Sequence, residues 1–95
     1  MSTVQRRAAA RANQRAAAFV RFQLLGDHQA MYQVLADAGE SERARLEFVT
    51  ALASIAASLA ATALGREQAL TYLRTVAETS AALVYADDID RYFEA

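Results

Sequence analysis

The sequence contains no cysteine, no proline, no tryptophan and no lysine. Without cysteine the chain has no disulfide, no thiolate metal site and no cysteine nucleophile. Proline and glycine are the residues that break helices most strongly, and here proline is missing and glycine occurs only three times. These absences exclude several classes of reactive site and favour long, uninterrupted helices.

The sequence is instead rich in alanine, the strongest helix former, and every basic residue except the single histidine is arginine. This pair of biases is typical of a GC-rich genome, such as that of an actinobacterium or one of its phages. Large apolar residues recur at steps of three and four, as in Leu46, Val49 and Leu52, which is the helical period. No window shows the alternation of a strand, so the sequence predicts an all-α protein.

Three glycines divide the chain, and each stands where a helix would end. Residues whose side chains cap helix N termini precede three of the four resulting segments. Ser2, with Gln5 three residues later, fits the reciprocal pattern known as a capping box. The other caps are Asp27 and Ser41, and the glycine stops are Gly26, Gly39 and Gly65.

These signals predict four helices with definite bounds. The C-terminal end leaves two alternatives, because Asp87 and Asp90 suit the start of a short fifth helix, Asp88 to Glu94, whereas the fourth helix could also continue to the end. The predicted helices run from Val4 to Leu25, from Asp27 through Ala38, from Ser41 to Leu64, and from Arg66 to at least Ala86.

We therefore predict one domain over residues 1–95, a compact bundle of four helices, or five, in which the third and fourth form a long antiparallel hairpin. The helices are expected to pack through their apolar stripes. The stripe of the fourth helix comprises Leu70, Leu73, Val76, Ala77, Leu83 and Val84.

Residues 48–65 carry no charge, and this length approaches that of a bilayer-spanning helix. Most of these residues are Ala, Ser or Thr, which gain little from lipid, so we interpret the stretch as a buried core helix, with membrane association as an alternative. Small residues repeat every four positions, which lets two helices approach closely, either within the chain or between two chains. The two lines of small residues are Ala53, Ala57 and Ala61, and Ser54, Ser58 and Thr62.

Positive charge is concentrated at the N terminus: residues 1–26 hold five Arg and no acid, whereas residues 27–95 hold five Arg and all eleven acids. On a helix, four of these arginines form a stripe opposite an alanine-rich face, and we expect the helix to dock through that face. The stripe suits an acidic protein surface, the phosphates of nucleic acid, or solvent alone. The arginine stripe comprises Arg7, Arg11, Arg15 and Arg21, and the opposite face includes Ala9, Ala16 and Val20.

Near the C terminus, aromatic and apolar residues recur at helical spacing at Tyr85, Ile89, Tyr92 and Phe93. One interpretation is that this C-terminal patch seals the end of the bundle. The other is that it docks a partner, because Tyr and Phe anchor many protein interfaces. Both interpretations remain open from the sequence.

Reactive constellations are sparse. The single histidine, His28, follows Asp27, and neighbouring residues on a helix point apart. Carboxylates at Asp87, Asp90 and Glu94 would share a face that suits a hard cation, but helix capping explains acids at the start of a terminal helix. We expect no catalytic residue, no cofactor and no metal.

The sequence therefore predicts a non-catalytic protein–protein interaction module, a small accessory or regulatory protein of the cytoplasm that binds another protein. The predicted contacts are the arginine stripe and the C-terminal patch. Self-association is a further expectation. Nucleic-acid binding through the arginine stripe is the first alternative, although a pI of about 5.7 argues against it, and membrane association through residues 48–65 is the second.

Overall fold

The structure is a computed structural model that describes residues 1–88 and 90–93. Within these residues there is no strand, and short turns join the helices, so the predicted all-α class is confirmed. Four helices are long and the fifth is a single turn. In chain order they are α1 (Thr3–Leu25), α2 (His28–Ala38), α3 (Glu42–Leu64), α4 (Arg66–Val84) and α5 (Asp90–Phe93).

Side-chain caps begin the first three helices, as the sequence predicts. Ser2 accepts a hydrogen bond from the backbone N–H of Gln5 at 3.2 Å, and the Gln5 side chain accepts one from the Ser2 N–H at 2.8 Å. Asp27 and Ser41 each accept a bond of 3.0 Å from the N–H three residues on. These bonds satisfy donors that a helix start leaves without an intrahelical partner.

Two glycines have positive φ angles, which side chains with a Cβ rarely adopt. Gly26 ends α1 at φ 71°, and the N–H of Asp27 donates to the carbonyl of Phe22 at 3.0 Å. Gly65 separates α3 from α4 at φ 79°. Gly39 also ends its helix, but at φ −83°, so its stop does not depend on a left-handed conformation.

The C-terminal helix breaks, which decides between the two predicted alternatives. α4 ends at Val84, two residues short of the predicted Ala86, and α5 begins at Asp90 instead of Asp88. Aspartate competes with the helix for backbone hydrogen bonds, so adjacent Asp87 and Asp88 favour a turn. Glu94, the predicted end of the last helix, lies outside the described residues.

The described chain forms two compact units, Met1–Ser58 and Leu59–Ala95, here called the N-terminal and C-terminal units. The predictions of a single domain and of an antiparallel α3–α4 hairpin stay predictions. The helical bundle is best defined in the N-terminal unit, where α1, α2 and the first half of α3 surround one core.

The core of the N-terminal unit is built largely from alanine. Its buried residues are Ala12 and Ala16 of α1, Ala38 of α2, and Phe48 and Ala51 of α3. The ring of Phe19 meets that of Phe48 edge to face, with centroids 5.6 Å apart, a geometry that aromatic pairs prefer. The prediction that α1 docks through its alanine-rich face is confirmed.

The prediction that residues 48–65 form a buried core helix is largely wrong. α3 buries Phe48 and Ala51 and half-buries Leu52 and Ile55, but most of its later residues are exposed. α3 has the length and composition of a membrane-crossing helix, with a mean hydropathy of 1.6 over its most apolar window, of which 11% is buried. The apolar composition of α3 does not indicate which of its sides is covered by other helices.

Replacing Ala16 by leucine is expected to lower the free energy of unfolding by about 1–3 kcal/mol. Ala16 is fully buried between neighbouring helices, and a larger side chain has to push them apart. Ala17→Leu is the matched control, because Ala17 is exposed on the same helix, and it should change stability by less than about 0.5 kcal/mol. Urea unfolding followed by circular dichroism measures both, and equal effects would contradict the tight alanine contact.

Candidate interaction surfaces

The arginine stripe is only partly available to a partner. Arg7, Arg11 and Arg21 are exposed, as the sequence predicts. Arg15 is different: its guanidinium lies 3.5 Å from the carboxylate of Glu40, and its side chain is 20% exposed. An arginine held by an acid of its own chain has less charge to offer to another molecule, so three of the four arginines remain as a cationic surface.

A shallow charged groove of about 200 Å³ lies between α1 and the start of α3. Its charges alternate in sign, and besides the Arg15–Glu40 pair it includes Arg43 and Glu47, which are 3.2 Å apart. Small-molecule sites usually measure about 300–1,000 Å³. This groove is smaller and its charged side chains largely bind one another, so we do not assign a ligand to it.

A second groove, of about 450 Å³, also lies between α1 and α3. Its lining is mostly small or apolar, with Ala9, Ala12, Leu46 and Ala51 among the contributors. The ionic groups on its wall are Arg43 and Glu47, already paired with each other. Gln5 and Thr50 on its wall bond to the backbone of their own helices, so we do not assign a ligand to this groove either.

Reactive groups do not converge in the described part of the chain. His28 is exposed beside Asp27, whose carboxylate caps α2. Within residues 1–88 and 90–93, no group of three or more potential ligands is placed to hold a metal ion. Asp87 and Asp90 are exposed. Glu94, the third carboxylate of the face that would suit a hard cation, lies outside the described residues.

Among the four residues of the C-terminal patch, the structure describes the side chain of Tyr85. Tyr85, the residue that follows the last residue of α4, is 87% exposed. Ile89 lies outside the described residues, and so do the side chains of Tyr92 and Phe93. The choice between a sealed end and a docking surface therefore stays a prediction for those three residues.

α4 presents an apolar surface along the stripe through which the sequence predicts that it packs against the other helices. Leu70, Leu73, Val76 and Val84 are between 43% and 64% exposed, and Ala77 between them is exposed as well. We call these five residues the α4 face. Ala69 is the one buried residue of this helix. Periodicity located the face correctly, but it carries no information about whether anything covers it.

α3 presents a second apolar surface, which lies away from Phe48 and Ala51 and begins at Leu46, a residue that also lines the second groove. Leu46 is 67% exposed and Val49 is 59% exposed, and Ala53, Ala56 and Ala57 continue the same side of the helix and are exposed too. We call these residues the α3 outer face. Counting steps of three and four from Phe48 and Ala51 would have separated the two sides of α3 in the sequence.

No family model matches this sequence, and comparison with curated proteins and with solved structures finds no match.

The ion pair between Arg15 and Glu40 is expected to contribute about 0.2–1 kcal/mol of coupling to stability, as partly exposed pairs do. A double-mutant cycle with Arg15→Ala and Glu40→Ala isolates this energy. The coupling should shrink as salt rises, because the Glu40 side chain is 55% exposed. Arg11→Ala in place of Arg15→Ala is the control, and equal coupling with Glu40 would show that the pair is not specific.

Proposed function

We propose that this chain is a non-catalytic interaction protein that binds another protein through the α4 face. The observation that carries the proposal is a helix of 19 residues whose large apolar side chains lie at the surface. Single exposed apolar residues are common on folded proteins, but a contiguous set along one side of a helix is typical of an interaction site.

The partner that suits such a surface is an amphipathic helix of another protein. Leu70, Leu73 and Val76 are spaced so that they line one side of α4, which is the arrangement by which helices anchor in each other's grooves. The opposite side carries polar side chains, including Glu67, Thr71 and Glu78. A partner helix with its own apolar stripe is therefore expected to bind the α4 face and not the polar side of α4.

The energetics of isolated helices support the same proposal. A helix in water gains most of its stability from packing of its apolar side, since propensity alone leaves helices of this length marginal. α4 buries Ala69 but exposes Leu73 and Val84 at 52% and 64%. Binding a partner along the face would remove these side chains from water and stabilise the helix at the same time.

Nucleic-acid binding is the second candidate, favoured by the three exposed arginines of α1, Arg7, Arg11 and Arg21. Three phosphate contacts imply that affinity for duplex DNA falls about 40-fold between about 50 and 200 mM salt. The absence of any shift of a labelled duplex at the lower salt would remove this candidate. A net charge of −1 and the loss of Arg15 to Glu40 both weigh against it.

Leu73→Glu is expected to weaken partner binding about 30-fold, the effect of losing an anchor worth about 2 kcal/mol. Leu73 lies at the centre of the α4 face, where a carboxylate would have to be buried against the partner. Tagged full-length chains are used to recover binding proteins from the native host, and the affinity for the identified partner is then measured by titration calorimetry.

Ala82→Glu is the matched control, because Ala82 is exposed on the opposite side of α4 and gains the same charge. The proposal requires a partner that is retained by Ala82→Glu and lost with Leu73→Glu. A partner that is lost equally with both variants, or retained by both, would show that the α4 face is not the binding site.

A further inference from the structure

The outer face of α3 differs in composition from the α4 face and from an ordinary helix surface. One side of α3 packs Phe48 and Ala51 into the core, and the other side exposes Leu46 and Val49. No charged residue occurs from residue 48 to residue 65. An apolar, uncharged helix surface gains free energy when it is removed from water, so the outer face calls for an occupant.

We propose that the occupant is a second copy of this chain, with two α3 helices packed antiparallel about a twofold axis near Ala53. The contact is isologous, meaning that both copies use the same surface and residue pairs occur twice. The inference goes beyond the proposed function, because it concerns another helix surface and another partner.

The order of large and small side chains along α3 supports a second copy. The large residues of the outer face, Leu46 and Val49, come first, and the small ones, Ala56 and Ala57, come later, with the half-buried Ala60 one turn beyond them. In an antiparallel pair centred on Ala53, Val49 of each copy lies opposite Ala57 of the other, and Leu46 lies opposite Ala60. Large residues then meet small ones toward both ends of the contact, which fills space without strain, and alanine at the centre permits close approach.

The distribution of charge supports the antiparallel direction. All charged residues of α3 lie in its first turns: Glu42, Arg43, Arg45 and Glu47. An antiparallel pair places them beside the uncharged C-terminal half of the other helix, where no like charge opposes them. A parallel pair would set Arg45 beside Arg45 and align the two helix dipoles, and both arrangements are unfavourable.

The shortage of buried large side chains supports assembly in general. The core of the N-terminal unit contains Phe48 and four alanines at less than one-tenth exposure. Folded units below about 70–80 residues commonly gain stability by oligomerisation, and the N-terminal unit spans only Met1–Ser58. The contact from Leu46 to Ala60 is about 21 Å long at 1.5 Å per residue, and both copies contribute to it.

The first test is the mass of the full-length protein in plain buffer, by light scattering or sedimentation equilibrium across a range of concentrations. We expect twice the 10.3 kDa of the chain, and a monomer for Val49→Glu. Ser58→Glu is the control, because Ser58 is exposed on α3 away from the outer face, and it should stay dimeric. A wild-type monomer at every concentration overturns the proposal, and so does a Val49→Glu protein that is still dimeric.

The second test uses the absence of cysteine, which makes any introduced thiol unique. Ala53→Cys lies on the axis and is expected to form a disulfide between copies under mild oxidation. Leu46→Cys is expected not to, because the two positions 46 are about 21 Å apart in the antiparallel pair, far beyond the reach of a disulfide. Cross-linking of both variants would indicate a parallel pair, and cross-linking of neither would contradict the dimer.

Two further outcomes identify other occupants. If Leu73→Glu, and not Val49→Glu, makes the protein monomeric, then the copy sits on the α4 face and the proposal is wrong. The protein could also be monomeric in buffer and sediment with phosphatidylcholine vesicles. If the wild type does so and the Val49→Glu variant does not, then the outer face binds lipid and the proposal is wrong as well. Circular dichroism spectra of all variants should match, which confirms that the substitutions leave the helices intact.

Discussion

The N-terminal unit depends on one core, in which the alanine side of α1 meets Ala38 of α2 and Phe48 and Ala51 of α3. Ala12 and Ala16 contribute little side-chain volume to this core, and the rings of Phe19 and Phe48 pack edge to face within the same cluster. Alanine also loses no side-chain entropy when it is buried. The contact is thus inexpensive to form, although each residue contributes little apolar area.

A core of this kind has a consequence for the surface. Since alanine occupies much of the interior, many of the large apolar residues that the sequence supplies lie at the surface, among them Leu46, Val49 and Leu73. In a larger domain such residues would form the core. Here they form the α3 outer face and the α4 face, and the same choice of residues explains both the tight helix contact and the exposed apolar surfaces.

The parts of this fold that could be predicted from the sequence depend on residues close to each other in the chain. The capping box of Ser2 and Gln5 spans three residues, and Gly26 ends α1 through bonds to its own last turn. The pairing of Arg15 with Glu40 joins residues 25 apart, and no local pattern reports it. Periodicity likewise locates a stripe such as that of α4 but says nothing about what covers it. For the same reason the apolar composition of α3 did not reveal its exposure, and the interpretation of residues 48–65 as a buried core helix is largely wrong.

The α3 outer face and the α4 face differ in how binding at each would affect the stability of the protein. The outer face of α3 is the back of a helix that already holds the core through Phe48 and Ala51, so an association there restrains the same helix that α1 packs against. Binding to the folded form alone raises the free energy of unfolding by mass action, and stability would then depend on protein concentration. The α4 face lies on a helix with a single buried residue, Ala69. An association at α4 would therefore stabilise that helix, whereas an association at α3 would stabilise the core itself.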